Sequence, residues 1–318
     1  MDKLDAASLA AARRDFEQAI QLDPNYAEAH AGLAHALLDL TEYSDLPLAT
    51  TLPTIRAAAE RALTLDPRNA DAWVALANTD SSTDPPNIAK ARAEYQKALA
   101  LDPSNASAHL DYGNVLPLKQ ALAQTQEATR VDPANATAWN NVAVYAQDLG
   151  DWAHEIQAAN AVLRLDPQGV DSAFYLAFAY QQTHQDDEIA GAFAAVEPAT
   201  DIDRQQVAAG TLTYRALVDP TLRPQALAAL KDLSRHQSNP DVAGNLMQMY
   251  LALGQAKPAL QLLETFCQAQ PAGCGDLAVN PLYLVLRADP HFQTLAREYT
   301  TNTATVTAPA SAATTAQP

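Results

Sequence analysis

The side chains that could bind a metal, form a covalent bridge or move protons are seven histidines, two cysteines and 37 acidic residues in a chain of 318. His30, His35, His109, His154, His184, His236 and His291 are scattered. Even His30 and His35 stand five apart, so they do not share a helix face as two zinc ligands at i and i+4 do. No Cys-x-x-Cys occurs, and no metal or other cofactor is expected. There is no glycine-rich phosphate loop and no Gly-x-Ser-x-Gly turn. The pair Asp186-Asp187 reads as a solvated turn, so the chain reads as a non-enzyme. Cys267 and Cys274 leave two readings open. A chain reversing between Pro271 and Gly275 brings them within bridging distance, or both thiols pack as small apolar groups. A pair with no third thiol is what an oxidising compartment permits.

These residues are carried on helices. Ala-rich runs with apolar residues at helical spacing end on one signature: Leu22-Asp23-Pro24, Leu65-Asp66-Pro67, Leu101-Asp102-Pro103, Val131-Asp132-Pro133 and Leu165-Asp166-Pro167. The proline removes a backbone donor and biases the Asp before it out of the α region, so the helix stops there. Asn69, Asn105 and Asn135 follow their prolines by two residues and precede new helical runs, where a short amide satisfies an orphan N–H of the first turn. Each Asp-Pro therefore joins two helices. The prolines recur at intervals of 43, 36, 30 and 34 residues, so the chain restates one unit.

Position-specific residues sharpen that unit. Ala12, Phe16 and Ala19 precede Pro24 at the spacing with which Ala91, Tyr95 and Ala98 precede Pro103. Trp73 and Trp139 hold a large-residue position early in the first helix of a pair, Gly113 a small one, and Tyr180 and Tyr250 a later aromatic one. Gly150 and Gly254 fall in the turn between helices. With a period of about 34 residues, this pattern resembles the tetratricopeptide repeat. The resemblance implies an all-α, right-handed tetratricopeptide-type α-solenoid of antiparallel helix pairs.

On that reading residues 1–8 are a trimmed or flexible start and 9–271 the solenoid, degenerate at 200–238. Residues 272–299 are a C-terminal cap that hides the last apolar face, and 300–318, rich in Thr, Ala, Ser and Pro, a disordered tail. TEYSDLPLATT is an inserted turn in the first complete repeat, Leu116-Pro117-Leu118 shortens the third, and the fifth ends early at Glu197-Pro198. A content of 48% hydrophobic but only 6% aromatic residues suits Ala-packed helices. A net charge of −17 repels phosphate backbones, which argues against direct nucleic-acid binding by this segment. No apolar run of bilayer-spanning length occurs, so no membrane insertion by this segment is expected.

FEQAIQLDPNYAEAHAGLAHALLDL at the start and LRADPHFQTLAREY near the end are similar to arrays found C-terminal to winged-helix domains in bacterial ToxR/CadC-like regulators, or to adenylate cyclase domains. That resemblance implies the sensory or interaction part of a bacterial signalling or transcription-regulatory protein, with a periplasmic location favoured over a cytoplasmic one. The alternatives are a small-ligand-sensing domain and a free-standing periplasmic scaffold. The repeat family lines its concave groove from fixed first-helix positions. Carried onto this sequence, those are Asp71, Asn78, Asn114, Asn140, Gln147, Phe174, Phe178 and Gln181, a mixture of amides and aromatics suited to a protein or extended peptide. The alternative for Phe174 and Phe178 is the core. Chaperone-binding members place Lys and Arg there, and this chain has none at those positions. Replacing Asn78, Asn114 and Asn140 together by Ala is expected to weaken partner binding by about tenfold with little thermal cost, because each neutral hydrogen bond contributes only about 1 kcal/mol.

Overall fold

A computed structural model describes residues 6–44, 46–83, 85–269, 274 and 277–307. The chain divides into two compact units, residues 1–132 and 133–318, each taken here by itself. Among the described residues the regular structure is entirely helical.

The first unit holds α1 (Ala6–Leu22), α2 (Ala27–Tyr43), α3 (Leu48–Leu65), α4 (Ala70–Ser81), α5 (Ile88–Leu101), α6 (Ala106–Asn114) and α7 (Leu118–Val131). Each packs on the next, and the first helices of successive pairs, α2, α4 and α6, also pack side by side. The Asp-Pro corners are built as the signature requires. Asp66 and Asp102 sit in extended backbone, and their carboxylates accept from the N–H groups of Arg68 and Ser104, each at 2.9 Å. Two residues past each proline, Asn69, Asn105 and Asn135 accept from the N–H groups of Ala72, Ala108 and Ala138 at 2.8, 2.8 and 2.9 Å. The rings six residues beyond the prolines then close the turn, His30 on Pro24 O, Trp73 on Pro67 O, His109 on Pro103 O and Trp139 on Pro133 O, at 3.0–3.2 Å. His30 and His109 are thus donors to main-chain carbonyls.

Small residues permit the close helix packing. Ala91, Tyr95 and Ala98 are 0, 1 and 0% exposed, and the Phe16 ring occupies the space where Gly32 lacks a Cβ. The insertion TEYSDLPLATT is not a long turn. Apart from residues 44–47 it is absorbed by the two flanking helices, and Pro53 is carried inside α3, in its second turn.

The second unit holds α8 (Ala136–Leu149), α9 (Trp152–Leu165), α10 (Val170–Gln182), α11 (Asp186–Ala194), α12 (Asp201–Val218), α13 (Arg223–Leu233), α14 (Pro240–Ala252), α15 (Ala256–Ala269) and α16 (Pro290–Thr307). Among the described residues the short 3-10 segments Pro220–Leu222, Ser234–His236 and Pro281–Leu286 connect them. The degenerate stretch 200–238 is a packed helix pair, α12 with α13. It carries a signature the repeat reading passed over: Val218-Asp219-Pro220 is the same corner, with Asp219 accepting from Thr221 N at 3.0 Å. Gly150 and Gly254 take the left-handed conformation, φ +70° and +65°, as turn glycines must. Residues 301–307 continue α16, while 308–318, like 1–5 and part of the cap, lie outside the described residues.

Candidate binding face

In the first unit Asp71 and Asn78 lie on α4 and Asn114 on α6, and α4 packs beside both α2 and α6. Asp71 and Asn78 are tied to neighbouring repeats by hydrogen bonds. The His35 ring nitrogen lies 3.0 Å from Asp71 O, Asn105 Nδ2 donates to Asp71 Oδ1 at 2.8 Å, and Asn78 Nδ2 donates to Asp111 Oδ2 at 2.9 Å. Asn78 also accepts from the hydroxyl of buried Tyr95. That overturns the expectation that Asn78 can be removed at little thermal cost, since its loss strands a phenol and a half-buried carboxyl together. Asn114, in the last turn of α6, is exposed.

Two residues of this face were missed. Asp39 and Asp111 are half-buried, and burial raises both carboxyls above their ordinary values. The Asn78 hydrogen bond opposes that at Asp111, and the charge of His35 opposes it at both. Neither was among the positions carried over from the repeat, and their burial depends on neighbouring helices that spacing does not report.

Behind the face, α3, α4 and α5 enclose a charged cluster. Arg56 and Lys90 reach the two oxygens of Asp80 at 2.5 and 2.8 Å, with Asp80 and Glu94 only 4% and 6% exposed. Burial, with the adjacent Asp80 adding to it, pushes the Glu94 carboxyl up to about 7, while the hydrogen bonds from Arg56 and Lys90 hold Asp80 low against its own burial. The buried Asp80 carboxylate thus ties α3, α4 and α5 together through two partly exposed cations.

The second unit differs. Phe174 and Phe178 are 1% and 7% exposed, packed edge-on against Phe193 and Trp152. Both are core residues, which corrects their assignment to the groove. The physical reason is that α14 lies against α10 as well as α12. Asn245 donates to Asp171 Oδ1 at 2.6 Å and to Gln206 Oε1 at 3.0 Å, and Gln248 donates to Phe174 O and Tyr214 Oη at 2.8 Å. The Pro281–Leu286 segment packs on α8 in the same way, with Asn280 donating to Asp148 Oδ1 at 2.5 Å. Gln147 is likewise interior, donating at 3.0 Å to Glu155, whose carboxyl is fully buried. Asn140 and Gln181 remain half-exposed.

Cys267 and Cys274 are joined in a disulfide, the first of the two readings. Among the described residues no group of three His, Cys, Asp or Glu could hold a metal ion, and no helix is long and apolar enough to cross a membrane.

Residues 87–116 match the family described as TPR repeat, and residues 118–170 match the family described as Tetratricopeptide repeat. No curated protein matches the chain. Among solved structures, pilF of Pseudomonas aeruginosa is 20% identical over 67% of this chain and 92% of its own, with a TM-score of 0.50. YrrB, described as a TPR protein with an unusual peptide-binding site, is 20% identical over 57% and 90%, with a TM-score of 0.43. Yeast Tom70 is 18% identical over 94% and 60%, with a TM-score of 0.45. The fold is an all-α array of tetratricopeptide type.

Proposed function

We propose that this chain is a non-catalytic scaffold that holds a partner protein or an extended peptide on the α2, α4 and α6 face of its first unit. One observation carries the reading. Those three helices contain no Lys or Arg, while Asp39, Asp71 and Asp111 stand among their amides. An acidic face fits a basic or neutral segment, whose cations the carboxylates can neutralise. The same charge disfavours nucleic acid as a direct ligand. Fluorescence polarisation with matched extended peptides, Lys-bearing and Glu-bearing, tests it. The Lys series should bind more tightly, and replacing Asp39 and Asp111 together by Asn should weaken it by roughly tenfold, two partly buried pairs at about 0.7 kcal/mol each. A preference for the Glu series, or unchanged binding in a variant of normal helicity, removes the assignment.

The wider setting we infer is the sensory or interaction part of a bacterial signalling or transcription-regulatory protein, working outside the cytoplasm. Its support is the similarity of the FEQAIQLDP and LRADPHFQTLAREY segments to ToxR/CadC-like arrays, together with the Cys267–Cys274 bridge, which suits an oxidising compartment. Thiol counting on protein recovered from its native host checks the compartment; two reactive thiols there oppose it. A small-ligand-sensing role is the second reading, favoured by the cavity described next.

A further inference from the structure

Second helices of the repeats are 14 residues long in α5, α7, α9 and α15, but α11 has only nine, and α12 beside it has 18. Between α10, α11, α12 and the Pro220–Leu222 turn the mismatch leaves a half-open cavity of ≈ 550 Å³. Its size lies within the range of small-molecule sites, about 300–1,000 Å³.

The cavity has an apolar floor and an acidic rim. Ile189, Phe193 and Tyr214 form buried lining, and the last turn of α12 adds Leu217 and Val218, which are 36% and 79% exposed. Asp186, Asp187 and Asp219 line it too, against Arg215 and His184. Thr221 donates to Asp219 Oδ1 from its hydroxyl at 2.6 Å and from its N–H at 3.0 Å, which fixes Asp219 and holds its carboxyl below the usual range. The site also meets the C-terminal end of α12, whose carbonyl pole favours cations.

We propose that this cavity binds an organic cation with an apolar body, of the alkylamine or arylalkylamine class. The hydrocarbon lies against Ile189, Phe193 and Leu217, and the ammonium sits among Asp186, Asp187 and Asp219. The site is separate from the α2, α4 and α6 face and does not rest on the reading of that face.

Isothermal titration of the full chain with octylamine, octanol and octanoate tests it. These probes share one hydrocarbon chain and differ in charge. Octylamine should bind most tightly and octanoate most weakly. Replacing Asp186, Asp187 and Asp219 together by Asn should cost the amine roughly tenfold, since an exposed pair contributes about a factor of two, and leave octanol unchanged. Asn at position 219 still accepts from Thr221, so the turn persists. Ala190→Trp, at an exposed lining position, should fill the cavity and abolish binding of all three probes at unchanged helicity. Octanoate binding as well as octylamine, no binding of octylamine to the parent chain, or undiminished binding in Ala190→Trp would each overturn the proposal.

Discussion

Glu155 illustrates how much a single side chain can depend on its surroundings. It lies fully buried on α9 with one oxygen bonded to Gln147 and the other without a partner among the described residues. Burial pushes its carboxyl up to about 9, the hydrogen bond from Gln147 pulling down and the charge of Asp148 pushing further up. In the unfolded chain the group releases its proton near 4.5; in the folded chain it keeps it to about 9. The folded state therefore binds the extra proton, and the stability this gives is complete below about pH 4.5 and fades as pH rises towards 9. Glu155→Gln supplies a neutral group of the same shape that accepts the same bond. Melting followed between pH 5 and 9 should show the parent chain losing stability as pH rises and the variant losing less. A variant that melts lower at every pH in that range would mean the carboxylate is wanted ionised. Histidines behave more simply here: His30 and His109 act as ring donors that close corners, the role Trp73 and Trp139 take in neighbouring repeats.

Between elements, the recurring device is removal of a Cβ where one helix must come close to another. At Gly210 on α12 an added Cβ would stand 2.5 Å from the ring of Phe193 and 3.1 Å from that of Phe174, both buried and packed edge-on. Neither ring has free volume to enter. Gly210→Ala should therefore destabilise the second unit by about 1–3 kcal/mol through overpacking, despite the higher helix propensity of alanine. Chemical denaturation reads this directly, and Phe193→Leu in the same chain should recover part of the loss. If Gly210→Ala is neutral or stabilising, the close approach of α12 to α11 is not what the glycine serves. At Gly32 an added Cβ would likewise stand 2.3 Å from the ring of the half-buried Phe16.

Across the whole chain, the covalent tie lies after the last complete helix pair. The Cys267–Cys274 bridge closes a separation of seven residues between the end of α15 and the segment leading to Pro281–Leu286. In the chain-entropy view so short a loop contributes about 2.5 kcal/mol. Reduction should lower the melting temperature of the second unit by several degrees at roughly 2–4 °C per kcal/mol, with the α10 and α14 contacts responding only through the docking of this C-terminal segment. Melting with and without reductant, with thiols counted in each sample, measures it. An identical melt after confirmed reduction would show that the packed core around Leu277, Tyr283, Leu286 and Phe292 holds the segment unaided.

By itself the sequence determined the local grammar. Asp-Pro corners, asparagine caps, Ala-aromatic-Ala spacing and turn glycines act within a few residues of themselves, so helix ends and pairings at Asn69, Asn105, Asn135 and Gly150 were legible without any distant contact. The array in the first unit followed, because its register repeats and so places Asp71 and Asn78 on one face. Only tertiary structure decided what that register means in the second unit. Whether Phe174 lines a groove or fills a core depends on α14, 66 residues further along (174 to 240), closing on α10 through Asn245 and Gln248. Whether Asp39 and Asp111 are ordinary surface acids depends on how deeply neighbouring helices bury them. Helix length and capping are decided by nearest neighbours in sequence. Desolvation is decided by whatever the chain brings back through space, and no spacing rule reports it in advance.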